Sequence, residues 1–333
     1  MNRDTAPNIL IWRNGKLGNT IVAIPFILEL RKALPYCRIA VVVETLGAEL
    51  LANYPEINQL IIYNKRREHK GLFANLKFIK SLRDENFTHA FLLKRFFRNS
   101  LLSFLAGIPN RFGFQGGSGN RLLTRTVPYC EDQNIVKTNL SLLSLLGLPV
   151  PEQAAYRFYT SGPDQEAAMR FLSENGLAAK KYVAIHCGGE TVRDENVSPE
   201  MFARLAQHAS KDLGLTPVFI NARGDEAGVL RVRKVLEPGL PYVVFAHDGI
   251  RVNAEFLRRA ALFIGNNSGQ AHLAALVDTP SLVVYRKNAQ AEYFIRKWLP
   301  WQEKITAQVV EAEAPMENIV REAMEKIGKV LKQ

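Results

Sequence analysis

Short apolar runs alternate with helix-period segments along most of this chain, and that alternation limits the folds open to it. NILIW (8–12), RIAVVVE (38–44), QLIIY (59–63) and HAFLL (89–93) read as buried strands. Between them a helix is expected from about Asn19 to Leu34. GLFANLKFIKSLRDE (71–85) has apolar residues at i, i+3, i+4 spacing and reads as an amphipathic helix. A glycine-rich loop, FGFQGGSGNR (112–121), precedes the helix VKTNLSLLSLLG (136–147), which ends at Gly147 with Pro149 beyond it.

The pattern breaks at GLPVPEQAAYRFYTSGPD (147–164), rich in Pro and Gly and without period, the best linker in the chain. It then restarts. Strands are expected at 182–186, 216–220, 242–245, 262–265 and 281–285, and helices at 199–213, 225–236, 252–261 and about 269–277. A last helix is expected over 315–331. Two successive β/α series imply two doubly wound parallel sheets, an α/β protein. The expected divisions are 1–157, 158–314 and a C-terminal helix, 315–333, packing back on the first domain. Such sheets bind ligands at the carboxyl ends of their strands, so two of them facing each other would line a cleft.

No run of about 18 apolar residues appears, so no membrane span is expected. The N-terminus MNRDTAPNILIW has no secretory pattern. Cys37, Cys130 and Cys187 are far apart and read as ordinary thiols of a reducing cytoplasm. The six histidines are scattered, and no metal site is expected. Charge is more telling. Residues 1–150 hold 20 basic and 10 acidic side chains, whereas 151–333 hold 23 and 22. NKRREHK (64–70) and LKRFFRN (93–99) carry much of the excess. A one-sided basic half fits an anionic partner, or a solvated basic surface that aids solubility. Nucleic acid is disfavoured, because no recognition motif and no interleaved aromatic platform appears.

Four loops follow strands and open helices. RNGKLGNT (13–20) has neither the Walker A nor the G-x-G-x-x-G spacing; it reads as a tight glycine turn whose helix start offers free N–H groups. HCGGETVRDENVSPE (186–200) lets backbone approach a ligand at Gly188 and Gly189, offers Arg193 to a phosphate, and has Ser198 as helix cap before Pro199. NARGDEAG (221–228) places Glu226 at a helix start. GNNSGQAHLAALVDTP (265–280) presents Asn267, Ser268 and Gly269 at a helix N-terminus, with His272 one turn in. No Ser/His/Asp or Cys/His arrangement appears. The pattern fits phosphate-anchored group transfer.

Two of these loops resemble one family. ILIWRNGKLGNTIVAIPFILELRKALPYCRIAVVVE is similar to the start of glycosyltransferase family 9, the bacterial lipopolysaccharide heptosyltransferases. LFIGNNSGQAHLAALVDTPSLVVY is similar to that family's D-[ST]-G-x-x-H-L-A-A signature, and IPNRFGFQ, IHCGG and the GDE at 224–226 follow in the expected order. The resemblance implies a GT-B fold, two Rossmann-like domains, with the acceptor in the first and the donor in the second. It implies no metal and no cofactor: a nucleotide sugar, ADP-heptose in particular, is a substrate, and its sugar passes with inversion to lipopolysaccharide core. The partners implied are the nucleotide sugar, an anionic lipopolysaccharide-type acceptor and the cytoplasmic face of the inner membrane, where the enzyme is peripheral.

Carried onto this chain, the resemblance puts Gly188, Gly189, Thr191, Arg193, Asn196, Glu226, Asn267, Ser268, Gly269 and His272 at the donor. Glu226 would hold the nucleotide ribose. The basic half supplies the acceptor side: Arg13, Gly18, Lys65, Arg66, Arg67, Lys94, Arg95, Arg98 and Arg121. Where the family's loop ends in Gly-Asp, with Asp as general base, this chain has Gly18-Asn19, and an amide takes no proton. Asn267 stands for a second Asp, Asn196 for a phosphate-binding Lys, and YRKNAQ (285–290) replaces a glycine-threonine tail. Glu44 and Glu190 are candidate substitute bases, and Lys16 and Arg193 candidate substitute cations. Two readings remain: a transferase with Asn19, Glu44 and Lys16 at its reacting centre, or a member that binds nucleotide sugar or glycolipid as a scaffold.

Overall fold

The computed structural model describes residues 6–65, 67–188, 197–221, 226–311 and 314–332. The chain divides into two units, Met1–Tyr156 and Arg157–Gln333. The first holds β1 (Asn8–Trp12), α1 (Leu17–Ile21), α2 (Ile24–Ala33), β2 (Arg38–Val43), α3 (Thr45–Leu51), β3 (Gln59–Ile62) and α4 (Leu72–Asp84). It continues with β4 (His89–Leu92), α5 (Phe97–Leu105), β5 (Asn110–Phe114), β6 (Arg125–Val127) and α6 (Ile135–Leu140). Its strands form one parallel sheet in the order β3-β2-β1-β4-β5-β6.

Both faces of this sheet are covered, which is why its central strands read as unbroken apolar runs. Leu10, Trp12, Ala40 and Val42 point to one face and pack with Phe78, Ile79 and Leu82 of α4 and Leu102 of α5. Ile9, Ile11 and Val41 are equally buried. Phe26 of α2 meets Phe91 of β4 edge to face at 5.1 Å.

The second unit holds α7 (Gly162–Glu174), β7 (Tyr182–His186), α8 (Pro199–Leu213), β8 (Thr216–Ile220), α9 (Glu226–Arg233), β9 (Val243–Phe245) and α10 (Ile250–Arg259). Then come β10 (Leu262–Asn266), α11 (Gly269–Leu276), β11 (Ser281–Arg286), α12 (Ala291–Trp298), β12 (Ile305–Val310) and α13 (Met316–Val330). Its sheet runs β12-β11-β10-β7-β8-β9, again all parallel. Counted from its own first strand, this is the order of the first unit, 3-2-1-4-5-6. One face carries α8, α9 and α13, with Ile319, Val320, Ala323 and Ile327 of α13 in its core. Stacked rings mark the other: Phe245 on Phe256 at 4.0 Å and Tyr182 on Phe256 at 4.9 Å.

Several expectations are corrected. The helix expected over 19–34 is two helices. Pro25 has no N–H to give the carbonyl of Ile21, so α1 stops there and α2 starts afresh with Pro25 in its first turn. The helix expected over 136–147 is α6 followed by a 3₁₀ segment, Ser141–Leu146, closed by Gly147 at φ +71°. The glycine-rich loop 112–121 begins inside β5 and ends in a 3₁₀ turn, Asn120–Leu122. The end of the expected linker belongs to the second unit. Ser161 caps α7 in a reciprocal box with Asp164, and Arg251 donates to Asp164 at 2.8 Å and to the Tyr159 carbonyl at 2.9 Å.

Candidate functional site

Each sheet has a switch point where the strand order reverses, and crevices for ligands open there beyond the strand ends. In the first unit it lies between β1 and β4. Arg13 follows β1 and is 1% exposed. Its backbone continues the ladder, N–H to the Val42 carbonyl at 3.1 Å. Its side chain folds back, donating from Nε to the Asn19 carbonyl at 2.8 Å and from Nη1 to the Leu93 carbonyl at 2.6 Å. The guanidinium thus ties the start of α1 to the end of β4. Its Nη2 is buried with no hydrogen-bond partner among the described residues. Burial pushes its pKa down to about 10, with Tyr129 opposing, so it remains a cation at neutral pH.

Gly15 lies between Arg13 and α1 with φ +135°, a conformation side-chain-bearing residues rarely adopt. A Cβ added there would stand 2.6 Å from Lys94 Nζ and 3.1 Å from Asn19 Nδ2. The Lys94 amine and the Asn19 amide therefore converge over one glycine. Burial, reinforced by the Arg13 cation, brings the Lys94 ammonium down to about 8, against the pull of the Glu44 carboxylate. Glu44 precedes α3 as its cap residue. Gly47 of α3 approaches α1 so closely that a Cβ would lie 2.6 Å from Thr20 Oγ1, which fixes the start of α3 beside α1.

This arrangement joins Arg13, Gly18, Asn19, Glu44 and Lys94 and leaves others apart. Lys16 is exposed at the start of α1. That helix is only five residues long and has no side-chain cap, and Arg13 and Lys94 add positive charge beside its start. Arg95 pairs with Glu131 at 2.7 Å and lies 3.8 Å from the Tyr129 ring. Arg98 donates to the Tyr63 hydroxyl at 3.3 Å. Lys65 and Arg67 are exposed on the β3–α4 loop, and Arg121 on the 3₁₀ turn after β5. Arg66, Gly189, Glu190, Thr191, Arg193 and Asn196 lie outside the described residues.

In the second unit the switch point lies between β7 and β10. Ser268 caps α11 by accepting from the Ala271 N–H at 3.4 Å, and its hydroxyl lies 3.1 Å from Nδ1 of His186 at the end of β7. Asn266, 2% exposed, donates to the Cys187 carbonyl at 3.0 Å and accepts from the Val197 N–H at 3.2 Å. It holds both ends of the loop leading into α8. His186 and Asn266 fall within the IHCGG and GNNSG stretches, but no sequence signal singles them out, because their roles are contacts between separate strand ends. Asn267 and Gly269 are half-buried beside Ser268, while Glu226 is exposed at the start of α9. His272 is buried, its N–H donating to the Ser268 carbonyl at 3.3 Å. Gly228 of α9 packs against the loop after β7: a Cβ there would meet the Gly188 carbonyl at 3.0 Å. A cavity of about 460 Å³ opens beyond the ends of β7, β11 and β12, between Cys187, Ser198, Gly228, Arg231, Arg286 and Glu311, and no residue of the α11 start lines it. That volume is in the range of small-molecule sites.

Two sheets of the nucleotide-binding order, one offering a capped helix start and the other Arg13 and Lys94 at the equivalent place, give the two Rossmann-like units of the GT-B fold type. The sequence profile of Glycosyltransferase family 9 (heptosyltransferase) matches residues 75–327, and the chain belongs to that family. It is 23% identical over 288 residues to lipooligosaccharide heptosyltransferase 2 of Haemophilus influenzae, covering 84% of this chain and 83% of that one. Its fold is similar to that of a family 9 glycosyl transferase from Veillonella parvula, with a TM-score of 0.82, 20% identity and coverage of 98% and 97%. It is also similar to E. coli ADP-heptose lps heptosyltransferase II, with a TM-score of 0.76, 18% identity and coverage of 98% and 99%.

Proposed function

We propose that this enzyme moves a heptose-type sugar from an ADP-linked donor to lipopolysaccharide core or a related surface glycan, with inversion and without a metal ion. The names of the Haemophilus and E. coli relatives support the sugar and the acceptor class. The observation that carries the donor half is the start of α11 at the switch point of the second sheet. The Ser268 hydroxyl is engaged as cap, and the first-turn N–H groups of Gly269 and Gln270, which a helix leaves unpaired, are suited to a diphosphate. The same groups stabilise the leaving nucleoside diphosphate as its charge grows. In this reading Glu226 takes the ribose, and Asn196 and Arg193, outside the described residues, are the sequence's candidates for the phosphates.

The acceptor belongs to the first unit, with its hydroxyl at Asn19. The fixed cation Arg13 supports an acceptor bearing phosphate or carboxylate. Lys65, Arg67 and Lys70 are exposed beside α4, whose Leu72, Phe73 and Leu76 are also exposed, Phe73 to 86%. An apolar helix start ringed by lysine and arginine suits the surface of an anionic bilayer, each basic residue adding roughly 1 kcal/mol. No described helix is long and apolar enough to cross a membrane, so this reading has the enzyme rest on the cytoplasmic face.

The test is transfer from ADP-heptose to heptose-deficient lipopolysaccharide cores, read by mass spectrometry, with ADP binding followed by calorimetry. A heptose mass increment on one core, with ADP bound, is the expected result. ADP binding to the separate first unit, or no binding at all, contradicts it.

A further inference from the structure

We propose, resting on the transferase reading above, that Lys94 is the proton acceptor of this enzyme, its Nζ amine taking the place that a carboxylate at position 19 would fill. Asn19 has no basic lone pair, because its amide nitrogen is conjugated and its oxygen is a weak base. Arg13 donates to the Asn19 carbonyl but stays a cation, and the other titratable group recorded beside Asn19 is the Lys94 amine. The Asn19 amide and the Lys94 amine border the single position above Gly15, 3.1 Å and 2.6 Å from where a Cβ would be. The amine comes from another strand end, β4, and reaches the loop after β1 because Arg13 clamps the two together.

The surroundings suit an amine that gives up its proton. From β1 it faces the Arg13 guanidinium, and from the start of α3 it faces Glu44. On its own loop the Phe96 ring lies 5.1 Å from Nζ. Arg95 is turned to Tyr129 and Glu131, and Arg98 to Tyr63. Among the described residues Nζ has no hydrogen bond or ion pair. Burial beside a fixed cation disfavours the ammonium, and a lysine tuned to 7–8 is an effective base near neutral pH. In the step, the acceptor oxygen bonds to the anomeric carbon while the bond from that carbon to the diphosphate oxygen breaks. The bonding pair leaves with the nucleoside diphosphate, and the hydroxyl proton passes to the neutral amine. The resulting ammonium returns that proton to water before the next turnover.

Turnover of ADP-heptose with the heptose-deficient core is measured from pH 6 to 10 for the parent, Lys94→Met, Lys94→Arg and Glu44→Gln. Parent kcat/KM is expected to rise about tenfold per pH unit and to level off near pH 8. Both Lys94 variants are expected to lose roughly 10²–10⁴-fold and the rising limb with it, while ADP affinity stays within about twofold. Lys94→Arg keeps the charge, so its loss separates a base from a mere cation. Glu44→Gln is expected to lose less than Lys94→Arg. Carbon-13 methyl labelling of the lysines gives a reading free of turnover: one signal, missing in Lys94→Arg, should titrate near 8. Lys94→Arg as active as the parent, a limb that survives in Lys94→Met, or a Lys94 signal titrating near 10.5 overturns the proposal. Sugar transfer by the parent with any of these results leaves the transferase reading standing; a parent that neither binds ADP nor transfers sugar overturns both.

Discussion

The Ser268 hydroxyl lies 3.1 Å from His186 Nδ1, so the cap of α11 is tied to the end of the neighbouring strand β7. The helix start that faces the crevice is therefore held by the sheet itself. Ser268→Ala should remove both the cap and the tie. A lost cap costs about 1 kcal/mol, and ADP affinity should fall at least threefold. Calorimetry and thermal melting measure the two effects separately.

Lys94 predicts an unusual pH dependence of stability. Its folded pKa, about 8, lies below the unfolded value of 10.5. Between these values the unfolded chain binds more protons, so stability should rise with pH across that window. Lys94→Met should flatten the rise and stabilise the protein at pH 7 by roughly 1 kcal/mol, since a cation is no longer buried. Urea midpoints at pH 7 and pH 10 for parent and variant give the comparison.

Asp164 predicts the opposite limb. Burial alone would raise its pKa, but hydrogen bonds from Ser161 and Arg251, with the charge of Arg251, outweigh burial and hold it below the usual carboxylate value. A depressed folded pKa gives stability that is present above the unfolded value and is lost as pH falls, here below about pH 4. Arg251→Met should cost roughly 3 kcal/mol at pH 7, because it leaves the carboxylate poorly paired. It should also blunt the acid loss, as followed by urea unfolding between pH 3 and pH 7.

The stripe on α4 predicts binding to vesicles of phosphatidylglycerol but not of phosphatidylcholine. Phe73→Asp with Leu76→Asp should reduce cosedimentation at least fivefold. Lys65→Glu with Arg67→Glu should do the same and weaken its dependence on salt, exposed charges being screened over about 8 Å at physiological ionic strength. Binding indifferent to both pairs would remove the bilayer from the reading.

Strands buried on both faces write themselves as apolar runs, which is why β1, β2, β4, β7, β8, β10 and β11 were legible from the residues alone. Of the edge strands, β3 and β9 were legible and β6 and β12 were not. β6 is the short RTV and β12 is ITAQVV, and their half-exposed, partly polar residues break the pattern. The capped start of α8 was legible too, since Ser198 and Pro199 are local signals. The centre of the first site was not. Lys94 read as one more basic residue near a strand end, and the convergence with Asn19 depends on chain folding across about eighty residues, which no spacing records.

Gly15 ties two positions together in descent. Any side chain there would push the Lys94 amine aside and would also have to bear φ +135°. Relatives that keep a lysine at the end of the fourth strand should therefore keep glycine at the second residue after the arginine. Those with an aspartate in place of Asn19 are released from the lysine, while φ +135° still favours glycine at position 15. If Lys94 is the proton acceptor, the missing methyl group at Gly15 marks which of two bases the loop is built for.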